Sequence, residues 1–418
     1  HKRNQKNANR PRTFQRKRVG NKTMQDDPIV ITGAARTPIG SFQGVLSDVS
    51  ATNLGATAIA AAIDRSAIEP ESVEEVIMGC VLPAGLRQAP ARQAALGGGL
   101  PLSTPCTTIN KMCGSGMKAA MLGHDLIVSG SAEITVTGGL ESMSRAPYLL
   151  QKARSGYRLG NSEILDHMFV DGLEDAYQPG KLMGHFAEDC AQRYNFSRED
   201  QDGFAIESLT RATEAIENGA FRREIVPVSV TKRNETISVD IDQQPLTANI
   251  EKIPSLKPAF RKDGSVTAAN SSSISDGAAA LVMMKLSNAE RGGHVPLARV
   301  WGHSSFAQEP GLFTTAPIFA IRKLLDTLGW DTSTVDLFEI NEAFAVVAMA
   351  AMHDLQIPHE KLNIHGGACA LGHPVGASGA RIIVTLLHAL ERNGLRRGIA
   401  ALCIGGGEAT AMAFERIV

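Results

Sequence analysis

The sequence predicts an α/β fold built twice over, and three observations carry that reading. Short apolar runs alternate with stretches of helical periodicity. One long polar stretch, residues 144–273, interrupts the alternation. After it, the earlier order of elements returns. Alternating strands and helices imply a mainly parallel sheet with helices on both faces. A repeated order implies a duplicated unit.

The elements follow in turn. Residues 28–33 read as a short buried strand and the Ala-rich 50–65 as a helix. Residues 73–82 read as a second strand, and 91–97 as a short helix ending in three glycines. Residues 108–112 lead into a turn at Cys113, the run 114–129 reads as helix, and 134–138 as strand. The polar stretch contains a helix-rich part, 187–219, and a hairpin-like part, 225–239. A buried strand resumes over 278–285. In the second half, a strand at 335–340 ends at Asn341, and a glycine-rich turn at 366–377 precedes a helix at 378–392. A last strand, 399–404, runs into Gly405, Gly406 and Gly407. Here 144–273 reads as an insertion between two halves, 28–143 with 274–295 and 296–418.

Composition narrows the class. The chain has 418 residues, 43% hydrophobic and 20% charged, as in a soluble globular protein of two or three domains. No apolar run approaches the roughly 18 residues that span a bilayer. Residues 1–23 hold nine of the 42 Lys and Arg and no acid, which leaves 33 basic against 43 acidic residues. The body is thus mildly acidic and offers no nucleic-acid footprint. The segment 1–27 is expected to be a disordered basic leader, with Met24 as a natural start. It lacks the apolar core of a secretory signal, and it lacks the serines and amphipathic period of a transit peptide. The six cysteines show no metal spacing, and without a secretory signal they are expected to be free thiols.

Four positions carry candidate chemistry. Cys113 lies in Asn110-Lys111-Met112-Cys113-Gly114-Ser115-Gly116-Met117, between a strand and a helix. A helix N-terminus favours a thiolate, and the flanking glycines let backbone N–H groups face it. That is how a fold presents a nucleophile beside an oxyanion hole. His373 sits in a turn shaped by Gly372, Pro374 and Gly376, where an imidazole can move a proton. Cys403 ends a strand before three glycines, and strand ends in such sheets are where ligands bind. Asn341 also follows a strand, where its amide can hold a water or a carbonyl oxygen. Each has a blander reading: core cysteines, a solvent-facing loop histidine, a helix N-cap asparagine.

Taken together, these motifs resemble the thiolase family over 28–418. They span residues 110–117, 138–144, 341–344, 366–381 and 403–407. The resemblance implies a five-layered α-β-α-β-α core with an inserted loop domain. It implies that Cys113 is acylated, that His373 activates it, and that Cys403 deprotonates the acceptor acetyl-CoA. Asn341 would hold a water that, with His373, stabilises the enolate oxygen. The N–H groups of Cys113 and Gly405 would form a second oxyanion hole. Met183, Phe260, Ala268, Ser272, Ile274, Ala343 and Phe344 would contact CoA. Acetyl-CoA, acetoacetyl-CoA and CoA are the implied substrates, with no metal or redox cofactor. A cytoplasmic homotetramer, a dimer of dimers, is expected, with 85–93 as an interface loop.

This sequence also departs from the family pattern. Leu182, Met183 and Gly184 stand where many members have His-Met-Gly. The basic residue often found near the CoA phosphates is missing from 243–246, with Arg222, Arg223, Lys232 and Arg233 as substitutes. An acetyl-CoA acetyltransferase is the leading reading. A 3-ketoacyl-CoA thiolase of broader chain length and a non-catalytic CoA-binding relative are the alternatives.

Overall fold

A computed structural model describes residues 27–232 and 235–417. The expectations for the leader's residues 1–26 and for Arg233 fall outside these. The first half runs β1 (Ile29–Arg36), α1 (Ala51–Ser66), β2 (Glu75–Gly79), α2 (Pro90–Gly97), β3 (Cys106–Ile109), α3 (Ser115–Ser129) and β4 (Ile134–Ser142). The polar stretch contributes α4 (Met183–Tyr194), α5 (Arg198–Glu217) and a hairpin of Val228–Lys232 with Glu235–Val239. Then comes β5 (Ser275–Lys285). The second half is β6 (Ala298–Ala307), α6 (Ala316–Leu328), β7 (Leu337–Ile340), α7 (Ala345–Leu355), α8 (Ser378–Arg392), β8 (Arg397–Ile404) and β9 (Glu408–Glu415).

The strands form one sheet in the order β7-β8-β9-β6-β1-β5-β4-β2-β3, with a two-residue strand, Gly40–Ser41, beside β5. Read outward from its middle, the sheet repeats itself: β1-β5-β4-β2-β3 on one side, β6-β9-β8-β7 on the other. Where the second side lacks a counterpart of β3, Leu362 makes a parallel bridge to Phe338. The two sides meet through only two registered pairs, Val30 with Arg299 and Ile31 with Ala298.

The expectation of a mainly parallel sheet is corrected. Only β2–β3, β2–β4 and β7–β8 are parallel, while β1–β5, β4–β5, β6–β9, β8–β9 and β1–β6 are antiparallel. Helical crossovers enforce parallel pairing among the strands they connect. They say nothing about the first and last strands of a half, which meet across the whole intervening chain. The three glycines after β8 make a tight turn into β9, with Gly406 and Gly407 at φ 94° and 89°. That second strand went unread in the sequence, as did α6 and α7. The strand expected over 73–82 stops at Gly79, because Val81 and Leu82 turn their N–H groups to Glu141 instead.

Packing yields five layers. Helices α1 and α2 cover the outer face of the first half-sheet, and α6, backed by α7, covers that of the second. Helices α3 and α8 lie against each other between the half-sheets. Separate apolar cores fill the spaces between layers. Helix α8 is buried from Ser378 to Leu390, as expected of a helix enclosed on all sides. It crosses α3 at two glycines. A Cβ on Gly379 would lie 2.4 Å from the Met117 nitrogen, and one on Gly116 would lie 2.7 Å from that of Ala380. Bare backbone at both positions brings the two helix N-termini, and the turns before them, together.

Candidate active site

A cavity of about 480 Å³ opens where those turns converge. Cys113, His373, Cys403 and Gly405 all line it. They arrive from the turn before α3, the turn before α8, the end of β8 and the turn after it.

The Cys113 turn is wound tightly. The Asn110 side chain accepts from the Met112 N–H at 2.8 Å, and Ser115 Oγ donates to the Met112 carbonyl at 2.6 Å. These bonds hold Met112 at φ 47°, a left-handed conformation that costs a side chain roughly 1–3 kcal/mol. Gly114 leaves room for Ile404, whose Cδ1 would lie 2.3 Å from a Cβ there. The thiol behaves differently from the thiolate that the helix N-terminus predicts. Burial pushes it up to about 11, opposed by the N–H groups of Gly405 and Cys113 itself. Desolvation outweighs the dipole, so the resting group is a thiol. The same two N–H groups are those that the family resemblance implies for an oxyanion hole.

His373 is held from several sides. Its N–H donates to the Ser273 carbonyl at 3.1 Å. Its Nδ1 lies 2.5 Å from Ser378 Oγ, which donates to the Pro374 carbonyl at 3.0 Å. Since that hydroxyl gives its one proton to the carbonyl, it accepts from Nδ1–H. This assigns the tautomer and leaves the Nε2 lone pair free. Nε2 is buried without a protein partner, and so is Asn341 Oδ1. Burial, then the charge of Arg381, hold the imidazole down to about 3, so it is neutral and can receive a proton. Asn341 does not line the cavity. It sits behind His373, with Nδ2 3.5 Å from Nδ1.

Cys403 is buried, and its thiol is raised well above the usual range, first by burial and next by charge on Cys113. The two sulfurs therefore sense each other.

Sequence reasoning missed two buried carboxylates that brace these turns. Glu141 accepts from the N–H groups of Val81, Leu82 and Gly376 at 2.9, 3.0 and 2.9 Å. It ties β4 to the loop after β2 and to the His373 turn. Burial pushes its carboxyl up to about 7 against those donors. Glu342 accepts from Asn363 Nδ2, Ser208 Oγ and the Cys369 N–H at 2.8, 2.7 and 3.1 Å. It joins α5 to the approach to His373. A Glu just past an expected strand run, ending at 138 in one case and at 340 in the other, was the available signal at both positions.

Of the CoA-contact residues, Met183, Phe260, Ser272, Ile274, Ala343 and Phe344 line the cavity, whereas Ala268 is exposed and does not. Gly184 lets Phe260 approach, since a Cβ there would lie 2.2 Å from the ring. Phe260 meets Phe344 edge to face at 6.1 Å. One wall was unforeseen: the segment from Phe169 to Tyr177, carrying Asp171, Glu174 and Asp175. Arg222, Arg223 and Lys232 do not line the cavity. Arg223 pairs with Glu391 at 2.8 Å and Lys232 with Asp48 at 3.8 Å.

The duplicated five-layered fold, with a cysteine and a histidine on facing turns, defines an acyl-transfer enzyme of the α/β class. The sequence profile of the thiolase N-terminal domain matches residues 29–287 and that of the C-terminal domain matches 294–416, so the chain belongs to the thiolase family. It is 48% identical over 392 residues to the probable acetyl-CoA acetyltransferase of Dictyostelium discoideum, covering 94% of each chain. It is 49% identical to acetyl-CoA acetyltransferase 2 of Arabidopsis thaliana, covering 93% of this chain and 96% of that one. The crystal structure of the Bacillus anthracis acetyl-CoA acetyltransferase superposes with a TM-score of 0.91 at 42% identity, covering 94% of this chain and 99% of the other. Among the described residues, no helix is long and apolar enough to cross a membrane.

Proposed function

We propose that the chain is an acetyl-CoA C-acetyltransferase, joining two acetyl-CoA into acetoacetyl-CoA and CoA and running the reverse thiolysis. The observation that carries this is the convergence of Cys113, His373 and Cys403 on one cavity, with the Gly405 N–H at the Cys113 sulfur. The names of the relatives support the same substrate pair.

The chemistry follows from the protonation states. Cys113 attacks the acetyl carbonyl as His373 Nε2 takes its proton. The Cys113 and Gly405 N–H groups receive the developing oxyanion, the step at which such donors matter most. The bond from the acetyl carbon to the CoA sulfur breaks, and the leaving sulfur takes the Cys403 proton. Burial first, and charge on Cys113 next, disfavour a Cys403 thiolate. Cys403 becomes the base for the second half-reaction by giving its proton to the leaving sulfur. It then takes a proton from the methyl group of the second acetyl-CoA. His373, now protonated, stabilises the enolate oxygen together with a water that Asn341 would hold. The enolate carbon attacks the acetyl-cysteine, the carbon–carbon bond forms, and the Cys113 sulfur leaves. His373 returns its proton to Cys113, and Cys403 keeps the one it took.

The proposal includes a cytoplasmic dimer of dimers. The half-exposed edge strand β3 and the exposed loop 85–89, with positive φ at Gly85, Arg87 and Ala89, support association there. The test is thiolysis by the purified protein, with acetoacetyl-CoA and a longer 3-ketoacyl-CoA in parallel. Cleavage confined to acetoacetyl-CoA supports the proposal. Equal or faster cleavage of the longer substrate moves the enzyme to the broad chain-length class. Failure on both, with reduced thiols, overturns it.

A further inference from the structure

Away from the cavity, α3 and β6 bring three metal-ligating side chains together. His124 and Asp125 lie on α3 and His303 on β6, 178 residues further along the chain than Asp125. Asp125 Oδ1 is 3.0 Å from His124 Nδ1 and 2.8 Å from His303 Nε2. The two imidazoles stand nearly perpendicular, at 88°, with centroids 5.3 Å apart. Among the described residues, no other set of three His, Cys, Asp or Glu groups brings its ligand atoms this close. None of the three lines the cavity. His124 lies about 15 Å along α3 from the Cys113 turn, at 1.5 Å per residue.

We propose that His124, Asp125 and His303 form a binding site for a divalent transition-metal ion of the zinc class, separate from the catalytic cavity. Two imidazoles and a carboxylate are the ligands such an ion prefers. In a tetrahedral zinc site the ligand atoms stand about 3.3 Å apart, for bonds near 2.0 Å. The two distances to Asp125 need to open by only a few tenths of an ångström, which side-chain rotation supplies, and all three ligand atoms lie within 4.8 Å of one another. His124 is buried, His303 half-buried and Asp125 exposed. The pair of rings thus forms a walled floor, and the carboxylate faces solvent, where an ion enters. Three protein ligands leave a fourth position for water.

The location gives the ion a role. Helix α3 belongs to the first half of the molecule and β6 opens the second. Along the sheet these halves meet through two registered pairs only. An ion held by both elements adds a tie between the halves. Spacing in the sequence hides the set, because the third ligand is far away and no cysteine takes part.

The full-length protein is titrated with ZnCl₂ by calorimetry, and its unfolding temperature is followed with and without the ion. One equivalent is expected to bind at the site, and zinc at roughly 100-fold over Kd should raise the Tm by about 3 °C. His303→Gln and Asp125→Asn should each lose both effects while unfolding within about a degree of the metal-free wild type. Cys113→Ser should retain both, which separates this site from the active-site thiols. No binding by the wild type at 1 mM zinc on the order-of-magnitude scale of weak sites, or unchanged binding and Tm response in His303→Gln and Asp125→Asn, overturns the proposal.

Discussion

The turn before α3 and the turn before α8 occupy matching places in the two halves, yet they do opposite things. Each precedes a helix that opens with Ser-Gly, Ser115-Gly116 in one and Ser378-Gly379 in the other. Each helix meets the other through that glycine. The first turn is short and connects directly from β3, so its thiol stands at the cavity surface under two backbone N–H groups. The second comes after a long excursion from α7, with the Ser273 carbonyl holding the His373 backbone N–H and Ser378 pinning its imidazole deep in the protein. Duplication supplied the frame. The unequal approach to each helix decided which residue became a nucleophile and which a base.

The largest effect comes from the surface turn. Cys113→Ser should lower turnover at least roughly 1,000-fold, because a hydroxyl is a far weaker nucleophile at neutral pH than an activated thiol. Its unfolding temperature should stay within a few degrees of the wild type. Turnover within tenfold of the wild type would remove Cys113 from the mechanism. The buried turn comes next. His373→Asn should cost about 100- to 10,000-fold, the usual range for a positioned acid–base group. Mass spectrometry after mixing with acetyl-CoA should find Cys113 acetylating slowly rather than not at all. Acetylation at the wild-type rate would mean that another group takes the thiol proton.

How far the two turns were legible in the sequence follows the same contrast. The Cys113 turn could be read because its determinants are local: Asn110, Met112, Gly114 and Ser115 shape it within six residues. Helices α1, α3 and α8 could be read from periodicity, and the repeat from element order. Distant pairings stayed hidden. Nothing near β1 says that β5 is its neighbour, hence the mistaken parallel sheet. Nothing near Phe169 says that its segment closes one wall of the cavity. Glu141 reads as a strand-end acid until Gly376 arrives from 235 residues away. The resemblance puts Ala268 on a wall that it does not reach, because a small apolar residue fits a tunnel and a surface loop equally well.

The contact between the two turns can be broken without touching either. Gly379→Ala pushes a methyl group into the Met117 backbone at 2.4 Å, where no side chain can yield. The expected cost is about 3 kcal/mol, or roughly 4 °C in Tm for a body of this size, with kcat falling as the turns separate. Unchanged stability and kcat would show that the crossing does not set the distance between the turns.

Burial of His373 leaves a signature in pH. The free imidazole takes up a proton near its ordinary 6.5, and the folded one not until about 3. The unfolded chain thus binds the extra proton between those values. The stability this group contributes is whole above 6.5 and is lost as pH falls towards 3. Between pH 6.5 and 4.5 the wild type should lose about 2–3 kcal/mol more than His373→Asn, at 1.36 kcal/mol per unit. Parallel stability curves for the two proteins over that range would mean that the imidazole is already protonated in the folded state.

The smallest effect separates holding a base from being one. Ser378 reaches the acyl group only through His373, by accepting from Nδ1–H while its own proton goes to the Pro374 carbonyl. Ser378→Ala removes that acceptor, so Nε2–H becomes a competitive tautomer and the lone pair turns from the cavity for part of the time. The expected loss in kcat is about tenfold, the low end for an outer-shell partner of a functional histidine, with KM for acetyl-CoA unchanged. Ser378→Thr, which keeps the hydroxyl, should recover most of it. A merely structural role would lower stability in both variants and would not divide kcat from KM. Equal kcat in Ser378→Ala and the wild type would show that burial alone, without the hydroxyl, fixes the proton on Nδ1.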